Sequence, residues 1–197
     1  MQQVVDRTQH YDLYSTDGQF HWRNQDLGVG VKPDRLTVIR AGIWTDIPFT
    51  DIEQVTLSTA TVGKSGPIAQ CTLALENGSR VIVTNANANG LADGARDEAY
   101  RYFVAAFHQA LIDSGAATAI RFHSGFTPGR MNGLIIALVA GTALFVVLPF
   151  FLLVLTSDLQ SLWLLFGGIF LILPFWRAAK TNQPAEYRPD VPPDLLR

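Results

Sequence analysis

Between Met131 and Leu155 the chain reads MNGLIIALVAGTALFVVLPFFLLVL, twenty-five residues without a charge. At about 1.5 Å rise per residue, a helix of that length exceeds the roughly 30 Å hydrocarbon core of a bilayer. A small polar island, TSDLQS at Thr156 to Ser161, interrupts the run, and SLWLLFGGIFLILPFW resumes it from Ser161 to Trp176. With Leu159 and Gln160 before it and Arg177 snorkelling after it, the second run makes a thin span. Two uncharged segments back to back are hard to bury inside a chain of 197 residues. The pattern predicts a transmembrane helical hairpin with the island at its tip.

The flanks orient that hairpin. Arg130 precedes the first span, Arg177 and Lys180 follow the second, and the tip carries Asp158 without Lys or Arg. The positive-inside rule then puts both termini in the cytoplasm, with Trp163 and Trp176 near opposite interfaces. MQQVVDRTQH at the start lacks the charged-then-apolar pattern of a signal peptide. The expected division is a cytoplasmic domain over 1–124 and a linker over 125–130. The spans follow at 131–155 and 161–179, separated by a tip at 156–160, and a Pro-rich cytoplasmic tail covers 180–197.

Within the hairpin, Gly133, Ala137 and Gly141 are spaced by four, a stripe of small residues that admits a close helix. Gly141 and Gly168 lie at about the same height above the cytoplasmic ends of their spans and are expected to meet at one depth, with Gly167 beside them, so that Gly141 packs against span two or a partner helix. Pro149 and Pro174 each free a backbone carbonyl. No ionisable residue lies inside either span, which argues against a proton or ion pathway.

Residues 1–130 hold eleven Lys and Arg against thirteen Asp and Glu, scattered singly. That balance argues against nucleic acid and against an electrostatic grip on anionic lipid. The single cysteine, Cys71 in IAQCTLAL, excludes an internal disulfide and reads as a small apolar strand residue.

Short strands dominate this part. Tyr11, Leu13, Phe20 and Trp22 alternate around a turn at Ser15 to Gly18, and RLTVIR at Arg35 to Arg40 reads as a strand. Ile43 to Ile47 follows, ended by Pro48, and Asp51 to Thr61 alternates imperfectly, leaving room for a bulge. Ile68 to Leu75 and Arg80 to Thr84 flank Asn77-Gly78, a hairpin signal. Asn85 to Gly94 is a connector. Tyr100, Phe103, Val104, Phe107 and Leu111 then recur at helical spacing, with Arg101, His108 and Gln109 assigned to the solvent side of a helix at about 96–113. A short strand at Ala119 to Phe122 precedes the membrane.

This order, with IPFTDIEQVTL in the middle, a hairpin at ENGSRVIV and a closing helix at RDEAYRYFVAAFHQAL, resembles the bacterial pleckstrin-homology-like (PH-like) domains over about residues 10 to 115. The resemblance implies an α+β fold: a small bent antiparallel β-barrel or sheet closed by a C-terminal amphipathic helix, here followed by the two-helix transmembrane hairpin. Together with the hairpin and its flanking charges, the resemblance gives the expectation of a two-pass protein of the bacterial inner (cytoplasmic) membrane. Phosphoinositide-binding relatives cluster Lys and Arg in their first hairpin loops, whereas this chain has only scattered Arg23, Lys32 and Arg35.

No P-loop, G-x-S-x-G or H-E-x-x-H occurs, Gly28-Val-Gly30 lacks the rest of a dinucleotide fingerprint, and the four histidines lie far apart. His21, Arg23 and Asp26 are the one polar group that could converge. The expectation is therefore a non-catalytic accessory or scaffold protein without a cofactor or metal, its partners the bilayer and another membrane protein or complex. The alternative is a membrane-tethered sensor of a small ligand or lipid headgroup. In the tail, Pro184, Pro189, Pro192 and Pro193 forbid a regular helix, while Tyr187, Leu195 and Leu196 are apolar anchors for docking on the domain or a partner.

Overall fold

The computed structural model describes residues 8–17, 26–40, 42–61, 66–156 and 160–196. The chain forms two compact units: residues through Ser124 together with those from Ala185 onward, and Gly125–Pro184 between them. The class is α+β, with a large mixed sheet and helices, two of which are apolar enough to span a membrane.

The strands of the first unit are β1 Gln9–Thr16, β2 Leu27–Val31, β3 Arg35–Arg40, β4 Ile43–Pro48, β5 Ile52–Thr61, β6 Pro67–Leu75, β7 Arg80–Thr84, β8 Arg121–Ser124 and β9 Ala185–Glu186. They lie in the order β4-β3-β2-β1-β7-β6-β5-β8-β9. The expected barrel is corrected by this order: the sheet is open, with β4 and β9 at its edges. It is also mixed, because β8 runs parallel to β5 while the other pairs are antiparallel. A strand reached through a helical crossover can return parallel, which a chain of hairpins cannot do.

Local chemistry explains most of the strands. Asn77-Gly78 turns β6 into β7, with Gly78 at φ +77° and the Leu75 N–H donating to the Ser79 carbonyl. The imperfect alternation of β5 corresponds to a register shift between Ile52 and Gln54 against β6. The partner of β1 is β2, which falls on Leu27-Gly-Val-Gly-Val, a stretch that carries no strand pattern in the sequence. Its Gly28 sits at φ +139°, and a Cβ there would meet Ile39 Cδ1 at 2.9 Å and Trp44 Cη2 at 3.0 Å. The glycine that hides the strand is needed for close approach to β3 and β4. Phe20, Trp22, His21 and Arg23 lie outside the described residues.

One helix covers this sheet. In α1, Asp97–Asp113, the residues Tyr100, Phe103, Val104, Phe107 and Leu111 face Leu13, Val38, Val55, Leu73 and Val83 in a single apolar core. Phe103 and Phe107 stack at 5.7 Å, and Tyr11 and Phe49 meet them edge-on. The start of α1 is pinned by Asn85, fully buried, whose side chain accepts from the Ala69 N–H and donates to Asp97 Oδ1 at 2.7 Å. Cys71, on β6, is inside the core, and burial pushes its thiol up to about 12.

The second unit is helical: α2 Pro128–Thr142, a π-helical stretch at Ala143–Val147, α3 Leu148–Thr156 and α4 Gln160–Thr181. Met131–Leu155 and Leu162–Thr181 are long and apolar enough to cross a membrane, and only 11% and 17% of their most apolar windows are buried. Met131, Leu138, Ile172 and Ala179 form the buried seam, flanked by Leu134 and Val146.

Candidate functional site

The residues from Ala185 to Leu196 form an extended strap on the first unit. Ala185 and Glu186 pair antiparallel with Ser124 and His123, and the Tyr187 N–H continues the ladder to the Phe122 carbonyl at 3.2 Å. Prolines at 184, 189, 192 and 193 keep the strap out of a helix, so its backbone is free to add to the edge of β8.

Three side-chain contacts hold it. Tyr187 packs against Phe122 and brings its hydroxyl to His108 Nε2 at 2.8 Å. Asp194 lies 3.6 Å from Arg101 Nε, and Arg101 Nη2 donates to the Leu196 carbonyl at 2.8 Å. Leu195 and Leu196 pack against the main core.

His108 is the centre of this arrangement, and its assignment to the solvent side of α1 is corrected: its exposure is 1%. Its Nδ1 lies 2.7 Å from the Val104 carbonyl, an acceptor only, so Nδ1 donates there and Nε2 is left to accept from Tyr187. Burial lowers the affinity of the ring for a proton, opposed by the bond to Val104. Burial also raises the Tyr187 hydroxyl far above its ordinary value, so both groups are neutral at physiological pH. His108 falls one helical turn beyond Val104, at the margin of the apolar stripe. Its cover comes from a residue 79 positions away, and the pattern within α1 carries no trace of it.

Beside the strap runs a groove of about 210 Å³, lined by Leu57, Val104 and Ala105 on one side and Pro193 and Leu195 on the other. Tyr100 also lines it. Its hydroxyl is buried, has no hydrogen-bond partner among the described residues, and is pushed well above its ordinary value by burial.

The hairpin residues singled out by sequence fall in several places. A Cβ on Gly168 would collide with the Phe145 carbonyl oxygen, so the helix backbones touch there. Pro149 explains why that carbonyl is available: it has no N–H to donate to the oxygen four residues back, and just before it the Leu148 N–H reaches five back, to Ala143. A Cβ on Gly141 would lie 3.9 Å from Ile172 Cδ1, while one on Gly133 or Gly167 would meet nothing within 4 Å. Gly141 and Gly168 therefore do not face one another. Ala137, Trp163, Trp176, Arg177 and Lys180 are exposed, and Arg130 lies in the first turn of α2. The tip residues Ser157 and Asp158 lie outside the described residues.

Among the described residues, no group of three His, Cys, Asp or Glu side chains could hold a metal ion. Asp26, the described member of the expected His21, Arg23 and Asp26 group, accepts from the Gly42 N–H. The asparagines after β7 serve the chain itself: Asn85 pins α1, and Asn87 Oδ1 accepts from the Asn89 and Leu91 N–H groups. No protein-family model and no curated protein matches this chain.

Proposed function

We propose that the chain is a membrane-anchored, non-catalytic accessory or scaffold protein that presents a PH-like cytoplasmic domain to a membrane protein partner. The observation that carries this reading is the outward face of the hairpin. Trp163, Phe170 and Leu155 are 81%, 83% and 78% exposed, a surface that lipid or other membrane helices would cover and water would not tolerate. Support for the PH-like element is the run β1 to β7, paired antiparallel where the strands adjoin, followed by α1 across the core. In this reading the protein is a two-pass component of the bacterial inner membrane with both termini cytoplasmic.

Two experiments test it. Purification in mild detergent followed by mass spectrometry should return a stoichiometric membrane protein partner, and a chain that purifies alone in every mild detergent would count against the scaffold role. Ser157→Cys should label from outside intact cells and Thr8→Cys should not. Buried Cys71 leaves a silent background for that labelling. A second reading, a sensor for a small ligand, is favoured by the groove along α1, where Arg101 is the only basic residue among the lining groups.

A further inference from the structure

The strap lies in its groove as a bound peptide would. Backbone pairing to β8 supplies sequence-independent grip, and Tyr187, Asp194, Leu195 and Leu196 supply side-chain selection, the division of labour found when an extended segment adds to an open sheet edge. Yet the fit is loose for a permanent structural element. No residue from Ala185 to Leu196 is fully buried, an open groove of about 210 Å³ runs beside it, and the buried Tyr100 hydroxyl in that wall has no hydrogen-bond partner among the described residues. Protein interiors pair such buried groups.

We propose that the groove between α1 and the β8 edge is a recognition site for an extended segment of a partner protein, and that the strap occupies it in cis until that segment displaces it. The segment has the chemistry the strap displays: a tyrosine for His108, then prolines, a carboxylate for Arg101 and a pair of leucines for the apolar wall. This rests on reading the first unit as a domain offered to a partner. Three residues, 182–184, separate the end of α4 from the strap. Being part of the same chain, the strap meets the site as an intramolecular ligand, so a free segment must compete against its effective concentration. Partner binding is thereby conditional on release of the strap.

The test uses the full chain in detergent micelles, with a protease site inserted between Thr181 and Ala185 and cut after folding. A fluorescent peptide of sequence PAEYRPDVPPDLLR should exchange into the nicked protein, and should bind the uncut chain at least about tenfold more weakly. Peptides carrying Tyr187→Ala, or Leu195→Asp with Leu196→Asp, should fail to exchange. Arg101→Glu should weaken exchange, and a peptide with Asp194→Lys should restore it. A second variant ending at Pro184 gives the same readout wherever it retains cooperative melting. No exchange in the nicked protein overturns the proposal, as does exchange indifferent to the tyrosine and leucine substitutions, which would mean an apolar groove that takes any detergent or chain. Dimerisation of the uncut protein by exchange of straps would overturn the cis assignment. The experiment requires no partner, so its failure leaves the scaffold reading to be judged by co-purification alone.

Discussion

The two units use aromatic and aliphatic residues in opposite ways. In the β unit, Phe103, Phe107, Leu13 and Leu73 are fully buried between α1 and the sheet, because water expels apolar surface and a sheet face plus one helix can enclose it. In the helical unit, Phe170, Trp163 and Leu155 face outward and the interior is a thin seam of Met131, Leu138, Ile172 and Ala179. Its two long helices, apolar enough to cross a membrane, instead meet through close backbone contact such as Phe145 on Gly168. The contrast teaches that apolar content alone says nothing of where a core is; the period and length of the apolar pattern do.

The sharpest way to break this contrast is to truncate a phenylalanine in each unit. Phe103→Ala should cost the β unit about 3–5 kcal/mol. Cys71, the single cysteine and fully buried, reports this directly as faster thiol labelling. Phe170→Ala should leave that labelling unchanged. Phe170→Asp should instead penalise insertion by about 2.5–3.5 kcal/mol, measured as the membrane-inserted fraction, whereas a water-facing position would accept the charge.

A second comparison runs between glycines of the hairpin. Gly168→Leu should lower detergent stability by about 1–3 kcal/mol, because the Phe145 backbone blocks any side chain there. Gly141→Leu should cost less, and Gly133→Leu, with open space around it, should be silent in the isolated chain. Equal effects at all three positions would mean that the small-residue stripe, not the contact of Gly168 with Phe145, sets the packing.

Tyr187→Phe removes one hydroxyl and leaves His108 Nε2 without its donor, an expected loss of about 1–3 kcal/mol in the β unit, read again through Cys71 labelling. The smallest effect is a pH dependence. Because burial lowers the pKa of His108 below its ordinary 6.5, unfolding takes up a proton in the window beneath that value. Stability should be full above about pH 6.5 and fall as the pH drops from there through the lower folded-state value. His108→Gln should flatten this slope below about pH 6.5, and an unchanged slope would remove His108 as its source.

Legibility followed the range of the interaction. The hairpin could be read directly, since a twenty-five-residue uncharged run is a local property and bilayer thickness sets its meaning. Asn77-Gly78 and the Tyr100 to Leu111 stripe were equally plain, because turn geometry and helical period act within a few residues. Even the anchors Tyr187, Leu195 and Leu196 stand out as apolar islands in a proline-rich segment.

Only the tertiary structure decided what those anchors touch. The burial of His108, the parallel return of β8, the strand hidden in Gly28-Val-Gly30 and the choice of Phe145 as the neighbour of Gly168 all depend on pairs distant in sequence. A local pattern records the environment of a residue only when neighbours within a turn or a strand create it. These environments are created by segments about ten to eighty positions away, so the sequence carries both halves of each contact without marking that they meet.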